Sequence, residues 1–327
     1  MKFGMTVIRT GLMRLTQVSM VLGALLFGAS SFAAPAAPVA AIVLKFAERG
    51  EIGLITLTNE KTDFIGEHPP QLNQRKALGT IVLPGNSKIA FKSRDLMGIA
   101  DLTKVLEMLP AQALTSLDLS NTLVSDADLK VVAKFHNLRR LDLENTDITD
   151  AGLKAIAHLS HLEALNLNKT KCNGAFLVEL ACLKDLKFLR MGKSDLDADQ
   201  FRNLANFKKL VWLDLQQLHL HNQDMAVLKN LPDLQYLFID DNTFLTDKMM
   251  PDLEGLKKLR SLSLKETAIT VAGLSTIKKA PIHYLRVDEE RFKKSDQEKL
   301  RKMFPAADLI VDKFRAKAFK LYRELVE

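Results

Sequence analysis

The sequence predicts an α/β fold, a right-handed solenoid curved into a horseshoe, with a parallel β-sheet on its concave side and helices on its convex side. Three observations predict it. Leu114, Leu138, Leu162, Leu186, Leu210, Leu234, Leu259 and Ile282 head successive segments, recurring at a spacing of 24 five times over and then of 25 and 23. Each segment opens with apolar residues at alternate positions and closes with apolar residues spaced by three, so a strand period gives way to a helix period inside every segment. No single segment can bury that stripe alone, so the segments have to stack and share one continuous core.

Taken in order, the chain begins with what reads as a targeting segment over residues 1–33. Lys2, Arg9 and Arg14 make a positive start, Val18 to Ala29 is an apolar run, and Ser31-Phe-Ala33 offers small residues for a cut after Ala33. The run falls short of the ~20 residues a membrane-spanning helix needs, and no Cys follows it for lipid attachment. The expectation is a cleaved signal, no stable membrane anchor, and export to the periplasm or beyond. Residues 34–41, with Pro35 and Pro38, read as a linker. Residues 42–113 are expected to cap the solenoid: a helix from Ile42-Val-Leu-Lys-Phe46 stopped by Gly50, a strand from Ile52 to Leu57, divergent repeats around Ile81-Val-Leu83 and Ile89-Ala-Phe91, and a helix from Leu102 to Leu109.

Residues 114–305 are the repeats. In the second, Leu141 and Leu143 alternate with Arg140, Asp142 and Glu144, the pattern of a strand with one buried face. Thr149 is placed to cap the following helix by accepting from its first amides, and Asp150 puts negative charge at the positive end of that helix. Leu129, Leu153, Leu177, Phe201, Met225, Met250 and Leu274 fill one helix column, and Val132, Ile156, Leu180, Leu204, Leu228, Leu253 and Ile277 the next. Thr122, Thr146, Thr170, Ser194 and Thr267 form a hydroxyl column, expected to be a buried ladder serving backbone groups where the chain leaves each strand. Residues 306–327 are expected to close the far end with a strand at Leu309-Ile-Val311 and an amphipathic helix carrying Phe314, Ala318, Leu321, Tyr322 and Leu325.

The L-x-x-L-x-L opening, the Thr149-Asp-Ala-Gly-Leu153 wording and the spacing of 24 resemble the leucine-rich repeats of exported bacterial proteins, with a ribonuclease-inhibitor-like solenoid. The resemblance covers residues 86 to 311. It implies the scaffold and leaves activity open, because one solenoid hosts many functions.

Charge and cysteine content narrow the classes further. Of the formal +7, the segment 1–33 carries +3, leaving +4, and residues 278 to 327 hold 14 Lys and Arg against 9 Asp and Glu. Arg291, Lys293, Lys294, Lys299, Arg301 and Lys302 are interleaved with acids, which reads as the solvated face of a cap, and no nucleic-acid partner is expected. Cys172 lies in the apolar column Val124, Ile148, Leu196, Leu220 and is expected buried; Cys182 lies in a polar column and is expected exposed, with no disulfide between them.

No phosphate-cradling glycine loop, zinc-type pattern or serine elbow occurs, so the expectation is a protein with no enzymatic activity, no cofactor and no metal. His219-Leu-His221 and His158-x-x-His161 are weak metal patterns. Asp118, Asp142, Asp214 and Asp240 lie on the inner face, with Asp118 and Asp142 the adjacent pair.

The third position of each repeat points away from the core, onto the concave face. In order it reads Ser116, Arg140, Ala164, Phe188, Trp212, Tyr236, Ser261, Tyr284, so it holds the one Trp and two of the three Tyr in the chain. Aromatics on adjacent strands lie ~4.8 Å apart per strand and touch, and Phe238 widens the patch. The repeat core does not require rings there, and exposed patches rich in Trp and Tyr anchor interfaces. The expectation is a protein partner of unknown identity held by Phe188, Trp212, Tyr236, Phe238 and Tyr284, rimmed by Arg140, Arg190, Asp214, Asp240 and Arg286. A glycan stacked on the same rings, with hydrogen bonds from Asn166, Asn168, Gln216 and Gln217, is the alternative.

Overall fold

A computed structural model describes residues 42–45, 53–58, 74–76, 80–83, 88–93 and 102–312. The expected signal, the linker and the helix beyond Asp312 lie outside the described residues. The N-terminal strands are β1 (Ile42–Lys45), β2 (Gly53–Thr58), β3 (Gln74–Lys76), β4 (Thr80–Leu83) and β5 (Lys88–Ser93). The repeats contribute β6 (Leu114–Asp118), β7 (Arg140–Asp142), β8 (Ala164–Asn166), β9 (Phe188–Arg190), β10 (Trp212–Asp214), β11 (Tyr236–Phe238), β12 (Ser261–Ser263) and β13 (Tyr284–Asp288), and β14 (Asp308–Asp312) follows. One sheet runs in the order β14 back through β13 to β5 and then β2 and β3. From β5 to β14 every neighbour is parallel and consecutive in sequence, joined by a return along the convex side. This is a leucine-rich repeat solenoid of the horseshoe kind, as the spacing predicts.

The expected columns are the core. Leu138, Leu141 and Leu143 are 0–2% exposed, and both helix columns are buried throughout. The convex returns are shorter and tighter than plain helices. Asp150–Leu153 is one α-turn that continues as a 3-10 turn over Lys154–Ile156, and Asn222–Asn230 is 3-10 throughout. A 3-10 turn rises about 2.0 Å per residue against about 1.5 Å for an α-helix, so it spans the return with fewer residues.

Two corrections fall in the N-terminal cap. Ile42–Lys45 is a strand, not a helix, and pairs antiparallel with β4 in a separate two-stranded sheet. So short an apolar run cannot separate the two states by its periodicity. That pairing also removes Ile81-Val-Leu83 from the solenoid sheet, whereas Ile89-Ala-Phe91 joins it as β5, parallel to β6. The strand expected from Ile52 to Leu57 is β2, and it runs antiparallel to β5, so the parallel series ends there. The helix expected from Leu102 is present over Leu102–Glu107, and the final strand is β14.

Neighbouring repeats are fastened at the start of each return. Thr149 Oγ1 accepts from Ala151 N at 3.2 Å, the expected cap. Its own N–H and hydroxyl donate to Asp126 of the preceding repeat at 2.9 and 2.6 Å. Thr270 and Asp247 repeat that pair at 2.7 and 2.6 Å. Asp150, expected only to favour the helix dipole, also accepts from Asn173 N and Phe176 N in the next repeat, both at 2.8 Å. The hydroxyl column is the expected backbone ladder: Thr122, Thr146, Thr170, Ser194 and Thr267 donate to the carbonyls of Leu119, Leu143, Leu167, Met191 and Leu264 at 2.6–2.8 Å.

Candidate functional site

The concave face is built from the third, fifth and seventh positions of each repeat, and the parallel register places them side by side. In the third column Phe188, Trp212 and Tyr236 are direct strand partners, followed by Ser261, Tyr284 and Asp308. Phe238 sits in the fifth column beside Asp214.

Trp212, Tyr236 and Phe238 converge, whereas Phe188 only neighbours Trp212 along the column and Tyr284 stands apart beyond Ser261, and the largest ring is not exposed as expected. Trp212 is 3% exposed. It stacks on Tyr236 with centroids 5.1 Å apart at 26° and on Phe238 with centroids 4.6 Å apart at 29°. Two aromatic neighbours on β11 cover it, a packing that stabilises adjacent strands. Phe188, Tyr236, Phe238 and Tyr284 are half-buried. The surface offered is therefore Tyr236 and Phe238 stacked on a tryptophan floor, with Phe188 and Tyr284 on either side of them in the third column.

The expected polar rim is likewise drawn inward. Lys92 contacts Asp118 at 2.9 Å; Asn166 Nδ2 donates to Asp142 and Glu144, both at 3.1 Å. Arg190 reaches Glu144 at 3.5 Å and Asp214 at 3.2 Å, and Asn168 Nδ2 donates to Asp214 at 3.2 Å. On the far side of the rings Asp240 accepts from Ser263 Oγ at 2.6 Å, Lys265 N at 2.7 Å and Arg286 Nη1 at 3.0 Å. Arg190, Asp214, Asp240 and Arg286 thus neutralise one another within the sheet instead of facing a partner as free charges. Arg140 is half-buried in the third column between Ser116 and Ala164, four strand positions from Tyr236. Lys92, Glu144, Asn166 and Asn168 were not assigned to the network from sequence, although the run Lys92, Asp118, Asp142, Asn166, Arg190, Asp214 along one column was there to be read.

Two carboxyls in this network are perturbed. Burial, then repulsion from Asp118 in register beside it, pushes Asp142 up to about 6, opposed by the Glu144 N–H, Asn166 and Arg190. Burial pushes Asp240 up to about 6 against the pull of Arg286, Ser263 and Lys265 N–H, with Asp214 adding repulsion. Asp118 and Asp142 are the adjacent pair expected, and Asp214 and Asp240 form a second one that the column reading did not show.

The other candidates are structural or scattered. Asn166 and Asn168, offered as glycan donors, are buried and engaged by Asp142, Glu144, Asp214 and Gly192 N. His221 stacks on exposed Phe244 with centroids 4.8 Å apart, and among the described residues no group of three or more His, Cys, Asp or Glu is arranged to hold a metal. Cys172 is buried and Cys182 exposed, both as free thiols, and burial pushes Cys172 up to about 12. No helix of the described residues is long and apolar enough to cross a membrane.

Residues 136–157, about one repeat, match the family model described as Leucine Rich repeat. No curated protein sequence matches the chain. Among solved structures, internalin C2 from Listeria monocytogenes is 23% identical over 50% of this chain and 84% of that one, with a TM-score of 0.39. A leucine-rich repeat protein from Leptospira interrogans is 20% identical over 63% of this chain and 62% of that one, TM-score 0.40. Internalin F from Listeria monocytogenes is 15% identical over 71% and 83%, TM-score 0.38.

Proposed function

We propose that the chain is a non-enzymatic binding module, acting outside the cytoplasm, that holds a protein partner on its concave sheet through Phe188, Tyr236, Phe238 and Tyr284, with buried Trp212 supporting Tyr236 and Phe238 from below. The observation that carries this reading is the column of in-register aromatics, set where the repeat core asks for none and backed by a buried tryptophan that holds its neighbours rigid. Preorganised Tyr and Phe rings lose little entropy on association, and centrally placed aromatics supply most of the energy of interfaces. The ion network around them favours a protein over a polyanion, because its charges are paired within the sheet. The glycan alternative loses support, since Asn166 and Asn168 already have partners. Export rests on the Lys2, Arg9, Arg14 start and the apolar run that follows.

The test is capture of partners from the native compartment by the wild-type chain and by the Phe188→Ala/Tyr236→Ala variant. Trp212 is left in place because its removal would open the core of the stack. With far-UV circular dichroism and urea midpoint confirming the fold, the double variant is expected to bind roughly tenfold or more weakly. Unchanged affinity would refute the assignment of this face.

A further inference from the structure

Beyond the aromatic stack, at the C-terminal end of the concave side, lies a cavity of about 350 Å³ lined by Tyr236, Arg260, His283, Tyr284, Ala306 and Asp308. Ligand pockets run from roughly 300 to 1,000 Å³, so this one has room for a single large side chain and its backbone. We propose that it receives the carboxyl-terminal residue of a peptide chain, with the α-carboxylate on Arg260 and the side chain against the rings of Tyr236 and Tyr284. The inference rests on the concave-face reading above and states which part of the partner is held there.

Three observations carry it. The first is the arginine. Arg190 and Arg286 are each tied to acids of the sheet, but the exposed Arg260 has no ion pair among the described residues. A guanidinium in a concave site, flanked by flat rings, takes a carboxylate through two parallel hydrogen bonds. His283, directly before β13, stands beside it, its N–H donating to Arg260 O at 2.7 Å. Its Nδ1 lies 2.7 Å from Pro281 O, a carbonyl that can only accept, so Nδ1 carries the proton and Nε2 is left for a ligand.

The second observation is the acid on the far wall. Asp308 is the strand partner of Tyr284, and its N–H donates to His283 O at 2.7 Å, which fixes β14 there. Its carboxylate repels a purely anionic ligand such as phosphate, but it accepts from an N–H. A terminal residue offers a carboxylate at one end and its amide N–H at the other. Arg260, directly before β12, and Asp308 on β14 have backbones two strands apart, roughly 10 Å across the sheet, so their side chains can both reach one residue laid between them.

The third observation is the position of the walls. A chain lying across the rings from Phe188 past Tyr236 reaches Ala306 and Asp308 at β14, the outermost strand of the sheet among the described residues, which is where its end would be seated.

The test uses fluorescence polarisation of fluorescein-labelled Gly-Ser-Gly-Ser-Phe as the free acid and as the carboxamide, titrated with the full chain. The free acid is expected to bind, and amidation or Arg260→Gln to weaken binding roughly tenfold or more, since either removes a charge-assisted pair. Arg260 is exposed and makes only backbone hydrogen bonds among the described residues, so its replacement leaves the fold intact. Equal binding of acid and amide, no binding of the acid, or wild-type affinity in Arg260→Gln overturns the proposal. Phe188 lies outside the cavity. If the acid fails to bind while Phe188→Ala still weakens partner capture, the cavity inference falls and the concave-face reading stands. If the acid binds through Arg260 while capture ignores Phe188→Ala, the reverse holds.

Discussion

Gly152 and Gly273 show how closely single positions are set in this chain. A Cβ on Gly152 would overlap Asp126 Oδ1, and one on Gly273 would overlap Asp247 Oδ1. Those carboxylates fasten Thr149 and Thr270 to the preceding repeat. The glycine in Thr-Asp-Ala-Gly-Leu is therefore a space requirement for a neighbour's aspartate, a role that no reading of one repeat reveals. Gly152→Ala and Gly273→Ala are each expected to lower stability by about 1–3 kcal/mol, read as a fall in urea midpoint. Gly255→Ala, where an added Cβ meets nothing within 4 Å, is expected to stay within about 0.5 kcal/mol of wild type. Asp142 makes the second prediction at this scale. Its carboxyl is raised from 3.8 to about 6 by burial and Asp118. Below pH 4 it is protonated in both folded and unfolded chains and has no effect on their balance. Between about pH 4 and 6 the unfolded chain releases the proton first, so stability contributed by this group falls as pH rises through that window and then levels off. Asp142→Asn keeps a residue type already present at Asn166 in the same column. It is expected to flatten this fall and to exceed wild type at pH 8 by an amount on the order of 2 kcal/mol, measured as the difference in urea unfolding between pH 4 and pH 8.

At the scale of the element, the turn that leaves each strand is the recurring device. Asn121, Asn145, Lys169, Lys193, Gln217, Asp241 and Glu266 all have φ between 55° and 61°, each directly before the ladder position of its repeat, and His219 adds a second such residue in the repeat headed by Leu210. Non-glycine residues seldom take that conformation, and here the N–H groups of Asn121, Asn145, Lys169, Lys193, Gln217 and Asp241 each donate to a carbonyl of the next repeat. The hydroxyl is missing at two consecutive repeats, where the column holds Leu218 and Asn242, and the Asn242 side chain serves both. Its amide donates to the carbonyls of Leu215, Ile239 and Asp240 at 2.9–3.2 Å and accepts from Leu218 N and Leu220 N at 3.1 Å. Asn242→Ala would leave two buried amides without partners, so a loss of about 3 kcal/mol or more is expected in equilibrium unfolding. The Thr and Ser members of this ladder were legible as a column. The left-handed turns and the compensating Asn242 were not, because conformation at one position depends on hydrogen bonds to the neighbouring repeat.

At the scale of the molecule, stacking makes one core from columns that no repeat could bury alone. Leu117, Leu141, Leu165, Leu189, Leu213, Leu237, Leu262 and Leu285 are all 0–2% exposed across consecutive strands. With nearest-neighbour packing this continuous and no weak repeat in the middle, the solenoid is expected to unfold as one unit. Far-UV circular dichroism reports all repeats, whereas the fluorescence of Trp212 reports only its neighbourhood at β10 and β11. The two urea transitions should coincide; midpoints that separate would show that the halves melt independently.

The leucine spacing by itself determined the scaffold: the strand and return of each repeat, the parallel order, the hydroxyl ladder and the buried site of Cys172. These follow from local periodicity, and every repeat restates them. Only the tertiary structure decided what the columns do to each other. It turned Ile42–Lys45 into a strand by pairing it with β4, buried Trp212 under Tyr236 and Phe238, and joined Arg190 to Asp214 and Arg286 to Asp240. It also brought Arg260, His283 and Asp308 to one cavity. A column tells which way a side chain leaves its strand. Whether that side chain then meets water depends on the size and charge of neighbours one and two strands away, and this is settled only when the repeats pack.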